Sequence, residues 1–174
     1  MPGETVFAGA LDRVRYVTVG DGVCTLAVRP ANDVVVAVSA PGALKVAAET
    51  AVRIRSLTGN GTLCGEGRFD FASGGEVTIT AAFSGLGTNF GLFNGTTLKF
   101  AGGTDFSGAS VYVENPVALA ETGTVLVAVD GKATHRPTLV YPGSDTDHHW
   151  RFRWSEEKSG FVVVPRLGFA LTVR

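Results

Sequence analysis

The sequence predicts an all-β fold, an antiparallel β-sandwich or jelly-roll-like barrel with long glycine-rich loops. Three observations carry that expectation. Val and Thr number 24 and 18 and stand beside 23 Gly, a mix that suits short strands joined by tight turns. Apolar and polar residues alternate with period 2 from end to end, the pattern of half-buried strands. Turn signals then divide the chain into about a dozen strand candidates at roughly the 8–15 residue spacing of sandwiches and barrels. No segment demands a helix of ten residues.

Taken in order, the run Val34 to Val38 is continuously apolar, as are Val125 to Val129 and Phe161 to Val164. Such runs suit strands covered on both faces, or strands buried between subunits. Leu44, Val46, Ala48, Thr50, Val52 and Ile54 share one face of a strand, with Lys45, Glu49, Arg53 and Arg55 opposite. On a helix Arg55 would join the Leu44–Ala48–Ala51 stripe, so strand fits better. Val77, Ile79, Ala81 and Phe83 alternate with Glu76, Thr78 and Thr80, and Leu167, Phe169, Leu171 and Val173 alternate up to the last residue. Asn94-Gly95 and Asp130-Gly131 favour the primed turns that match strand twist, which predicts hairpins there. Glu156-Glu157-Lys158 reads as a further hairpin tip. The stretch Ser84 to Thr97 holds Phe90, Leu92 and Phe93 without a clear period, so it reads as a long loop that docks elsewhere. Gly20–Arg29 and Gly59–Phe69 share a glycine turn, a cysteine and a strand-like end, which falls short of an internal repeat.

Length and charge bound the rest. One domain over residues 1–174 is expected, with a weak joint near 114–117, where Pro116 interrupts any ladder. A chain of this length buries roughly 70% of its unfolded surface, enough for a core without metal or disulfide. Fifteen Lys and Arg against 16 Asp and Glu argue against nucleic acid or an acidic membrane as partner, since counterion release needs excess cations. No stretch approaches the ~20 apolar residues of a membrane span. The start Met-Pro-Gly-Glu-Thr lacks a secretory signal, so synthesis in a cytoplasm and free, buried thiols at Cys24 and Cys64 are expected.

Chemistry-bearing clusters are few. Asp145-Thr146-Asp147-His148-His149 brings histidines and carboxylates together, but on a strand His148 and His149 face opposite ways, so a turn outweighs a metal site. His148, Trp150, Phe152 and Trp154 share one face, with His149, Arg151 and Arg153 on the other. Such an aromatic row is core, a subunit contact or a sugar-stacking platform. No nucleophile elbow occurs, and His135 has no obvious partner acid in the sequence. Gly85-Leu86-Gly87-Thr88-Asn89-Phe90 places Phe where a dinucleotide fingerprint needs Gly.

The resulting expectation is a non-enzymatic assembly protein without a cofactor. It would be a virion component such as a phage capsid decoration or a small tail or fibre protein, joining a larger protein shell or tube as a homotrimer. Phe90, Leu92, Phe93, Trp150, Phe152 and Trp154 are the candidate contacts with a neighbour or shell. The alternative is a carbohydrate-binding sandwich using Trp150, Trp154, Arg151 and Arg153, and a small β-barrel enzyme with a histidine base stands third.

Overall fold

A computed structural model describes residues 3–83, 87–146 and 149–166. The chain winds as a parallel β-solenoid, which overturns the antiparallel sandwich or jelly roll. One sheet stacks β1 (Glu4–Phe7), β3 (Val23–Leu26), β5 (Ala43–Val46), β7 (Thr62–Cys64) and β10 (Ala82–Phe83), all parallel. A second stacks β2 (Tyr16–Val19), β4 (Val34–Val38), β6 (Ala51–Thr58), β8 (Arg68–Phe71), β11 (Thr88–Leu92), β13 (Ala109–Tyr112) and β15 (Thr138–Val140), again all parallel. The third begins with parallel β9 (Gly75–Ile79), β12 (Thr96–Phe100) and β14 (Val125–Val129). It ends with β17 (Gly160–Pro165) and β16 (Trp150–Ser155), which run antiparallel.

Each parallel strand pairs with one a full coil away. Val23, Ala43, Thr62 and Ala82 form one row, separated by 20, 19 and 20 residues. A row of glycines makes the matching corner. The N–H groups of Ala43, Thr62 and Ala82 donate to the carbonyls of Gly22, Gly42 and Gly61 at 2.9, 3.0 and 2.9 Å. A Cβ on Gly61 would lie 2.7 Å from the Gly42 carbonyl oxygen, too close for any side chain without moving backbone. The repeat is therefore present, but only its corners are uniform.

Inward-facing side chains stack as ladders. Cys24, Leu44, Leu63 and Phe83 form one, and Val52, Phe69, Phe90, Val111 and Leu139 another. Ile79, Phe100 and Val129 form a third. Phe83, Phe90, Phe100 and Phe106 meet in the middle with ring centroids 5.0–5.9 Å apart. Each coil alone could not bury its apolar face; stacking gives a continuous core.

The local expectations fare unevenly. Asn94-Gly95 does make a tight turn, with φ of 53° and 72° and Thr96 N–H donating to Phe93 O at 3.0 Å. It nevertheless carries the chain from β11 in one sheet to β12 in another, so no hairpin forms there. A hairpin does form at Glu156-Glu157-Lys158, between β16 and β17. The expected long strand through Leu44 and Ile54 divides into β5 and β6 at a corner where Glu49 has φ of 60°. The supposed loop from Ser84 to Thr97 contains β11 and the start of β12, and residues 84–86 lie outside the described set. Pro116 opens a short helix, α1 (Pro116–Thr122), capped by the Asn115 side chain, which accepts the Ala118 N–H at 3.1 Å.

The apolar runs are covered within the chain. Val34, Val36 and Val38 point into the core, while Val35 and Ala37 are half-buried between β2 and β6. Val125–Val129 lies between β12 and β17, and α1 packs on β17, with Leu119 and Ala120 against the core. These runs therefore do not call for a trimer. The two cysteines are free: Cys24 faces the core, and Cys64 donates to Leu44 O on the adjacent strand at 3.7 Å. Burial pushes both thiols above their ordinary pKa.

Candidate functional site at the open end of the solenoid

A stack of coils leaves an unpaired edge and an uncovered core at each end unless something closes it. At the far end Tyr141 and the inward side chains of the β16–β17 hairpin, Phe152, Phe161 and Val163, are buried, and α1 packs on β17. Among the described residues β1 and β2 each have a strand partner on one side only, as do β10, β15, β9 and β16 at the other sheet edges. The first coil differs in the apolar side chains that it leaves exposed. Every residue of β1 is exposed, including Val6 at 55% and Phe7 at 43%, and Tyr16 on β2 reaches 75%.

Phe7 and Tyr16 rim a recess of about 230 Å³ lined also by Leu11, Val14, Val17, Thr18, Cys24 and Leu26, while Val6 lies on the other face of β1. Its floor is the end of the core itself, since Val17, Cys24 and Leu26 belong to the buried cluster. A short turn, with Val14 N–H donating to Leu11 O at 3.2 Å, closes one side only. Thr25 donates to the Glu4 carboxylate at 2.8 Å, and the Asn32 amide donates to Asp12 O at 2.9 Å, which hold the first coil onto the next. The recess is thus a built, apolar opening on a fixed frame.

The expected contact residues lie elsewhere. Phe90 and Leu92 are core ladder residues, 1% and 5% exposed, so a neighbouring chain cannot reach them. Phe93 is half-buried, its ring 6.0 Å from Tyr112, with the Arg68 guanidinium 5.7 Å away. Phe152 is buried, and Trp150 and Trp154 pack partly buried against the core. Trp154 meets Phe161 edge to face at 5.2 Å. The aromatic row is therefore chiefly core, with Arg151 and Arg153 exposed on the opposite face.

One edge of Trp154 does line a second groove, of about 470 Å³, with Lys132, Thr134, His135, Arg136, Glu156 and Phe161. His135 has the partner acid that the sequence concealed: its Nδ1 lies 2.8 Å from the Asp105 carboxylate. The Ser107 N–H and His135 hold that carboxyl below its ordinary pKa. Both side chains are more than half exposed, at 60% and 52%, so water screens the pair. Asp147 and His148 lie outside the described residues, whereas Asp145 and His149 are exposed. Among the described residues no three His, Cys, Asp or Glu are grouped to hold a metal ion, and no helix is long and apolar enough to cross a membrane.

Sequence reasoning passed over the first coil because Val6, Phe7 and Tyr16 look like ordinary strand residues; only the stacking order leaves them uncovered. No protein-family model, curated protein or solved structure matches this chain.

Proposed function

We propose that this chain is a non-enzymatic assembly protein that joins a larger protein particle through the open first coil of its solenoid. One observation carries the reading: the first coil leaves Val6, Phe7 and Tyr16 exposed, whereas the β16–β17 hairpin buries its own inward face at the far end. Phe7 and Tyr16 stand exposed around the opening, with Val6 exposed on the other face of β1, and soluble chains seldom leave such apolar surface uncovered. Covering Phe7, already more than half buried, would contribute about 1 kcal/mol, and a strand laid along β1 would satisfy its free edge. A capsid decoration, or a small tail or fibre component of a virion, is a role that fits a short solenoid with one adhesive end. Light scattering tests this. The wild-type chain should exceed its 18.1 kDa monomer mass, and Phe7→Asp/Tyr16→Asp should remain a folded monomer. A wild-type chain that stays monomeric at high concentration and binds no particle refutes the reading.

The Trp154 groove favours a second reading, a binding site for acidic sugars. Its half-buried indole offers a stacking surface beside Lys132 and Arg136. Titration with a uronate oligosaccharide should quench tryptophan fluorescence in the wild type and not in Trp154→Ala. Equal quenching in both, or none, excludes it.

A further inference from the structure

We infer that the open first coil receives residues 167–174 of a second copy as an added strand, so that copies join head to tail. The inference rests on the open end being the assembly surface, and it names what fills it. Four observations lead there.

Residues 167–174 carry the solenoid's own pattern. Leu167, Phe169, Leu171 and Val173 make one apolar face, with Gly168, Ala170, Thr172 and Arg174 between them. The inner ladders use the same residue types, and the recess is lined by Phe, Leu, Val, Cys and Tyr side chains with a single Thr. No proline follows Pro165, so every backbone N–H from Arg166 onward can join a ladder. The strands of the first coil, β1 and β2, are four residues each, so eight residues are ample to pair with one of them.

Geometry excludes residues 167–174 of the same chain as the donor. The second sheet stacks six spacings from β2 to β15, which at about 4.8 Å each comes to about 29 Å. The chain leaves β17 at the far end, where Arg166 N–H still donates to His149 O at 2.6 Å. Eight extended residues span about 27 Å, all of it consumed in the traverse, with nothing left to pair. A second copy has no such limit. Donor strand and acceptor recess then sit at opposite ends of one molecule, which makes the contact heterologous and allows rings or open filaments. An added strand would gain main-chain hydrogen bonds along β1 or β2 and seat Phe169 and Leu171 over Leu26 and Val17.

Complementation tests the inference. Phe169→Asp/Leu171→Asp leaves the recess intact and spoils the donor strand, while Phe7→Asp/Tyr16→Asp does the reverse. Each variant alone, folded by circular dichroism, should be a monomer by light scattering. Their mixture should give a dimer at twice 18.1 kDa that grows no further, because each dimer retains one spoiled donor and one spoiled recess. A synthetic peptide of residues 167–174 should bind Phe169→Asp/Leu171→Asp at least about tenfold more tightly than Phe7→Asp/Tyr16→Asp. If the donor variant associates like the wild type while the recess variant does not, the donor strand is wrong and the open end still stands. If the mixture stays monomeric, head-to-tail exchange is overturned. A monomeric wild type overturns head-to-tail exchange, and one that also binds no particle overturns the assembly reading with it.

Discussion

Replacing Phe90 by Ala is expected to lower the unfolding free energy by about 3–5 kcal/mol, the range for removing a large aromatic side chain from a packed core. The ring is 1% exposed and stands at the centre of the coil stack. It approaches Phe69 and Phe71 from the preceding coil at 6.5 and 6.4 Å, and Phe83 and Phe100 at 5.9 Å each. A solenoid is held by nearest-neighbour contacts between coils, so a cavity at this point weakens the cohesion on both sides of β11. Urea titration should show the midpoint falling. The slope should also fall if the coils on either side begin to unfold separately. A loss below about 1 kcal/mol would mean that Phe90 lies in a loosely docked loop after all.

The second large effect is expected on the outer face of the same strand. Gly91→Val should cost about 2–3 kcal/mol through overpacking and a disturbed ion pair. A Cβ at Gly91 would press on the Asp70 carboxylate and lie 2.8 Å from Arg68 Nε and 3.0 Å from the Phe93 ring. Asp70 is only 6% exposed and is held by two bonds from Arg68, at 2.5 and 3.1 Å. The guanidinium rests 4.3 Å from the centre of the Tyr112 ring, and the hydrogen bond to Asp70 raises its pKa above the ordinary arginine value. The glycine makes room for this pair. Thermal melting checks the claim, and Asp70→Ala in the Gly91→Val background should recover part of the loss, a coupling that a double-mutant cycle measures. Unchanged melting of Gly91→Val, within about 2 °C, would show that the outer face yields without strain.

Much of the local structure can be read before folding is considered. Alternation at Leu44–Val46 and Val52–Ile54 reports strands because side chains alternate faces whatever the partner. Asn94-Gly95 reports a tight turn because both residues tolerate positive φ. Neither signal says where the next strand goes. A turn that folds a strand back on its neighbour and a turn that rounds a solenoid corner use the same residues. The parallel order therefore escaped the alternation, and so did the repeat. Core ladders such as Cys24–Leu44–Leu63–Phe83 conserve burial and not identity, so a 20-residue period leaves little trace outside Gly22, Gly42 and Gly61.

The candidate sites divide in the same way. That Arg68 and Asp70 share an outward face follows from their spacing of two. That Asp70 is buried depends on Gly91 and Tyr112, which the next coils bring alongside. His135 meets Asp105 across 30 residues of chain, at a corner that no local pattern marks. The sequence by itself determined that this protein is built of short strands and sharp turns, because those preferences act within a few residues. Only the tertiary structure decided that the strands stack in parallel coils and that the first coil is left open, because partner choice depends on burial shared between segments about twenty residues apart.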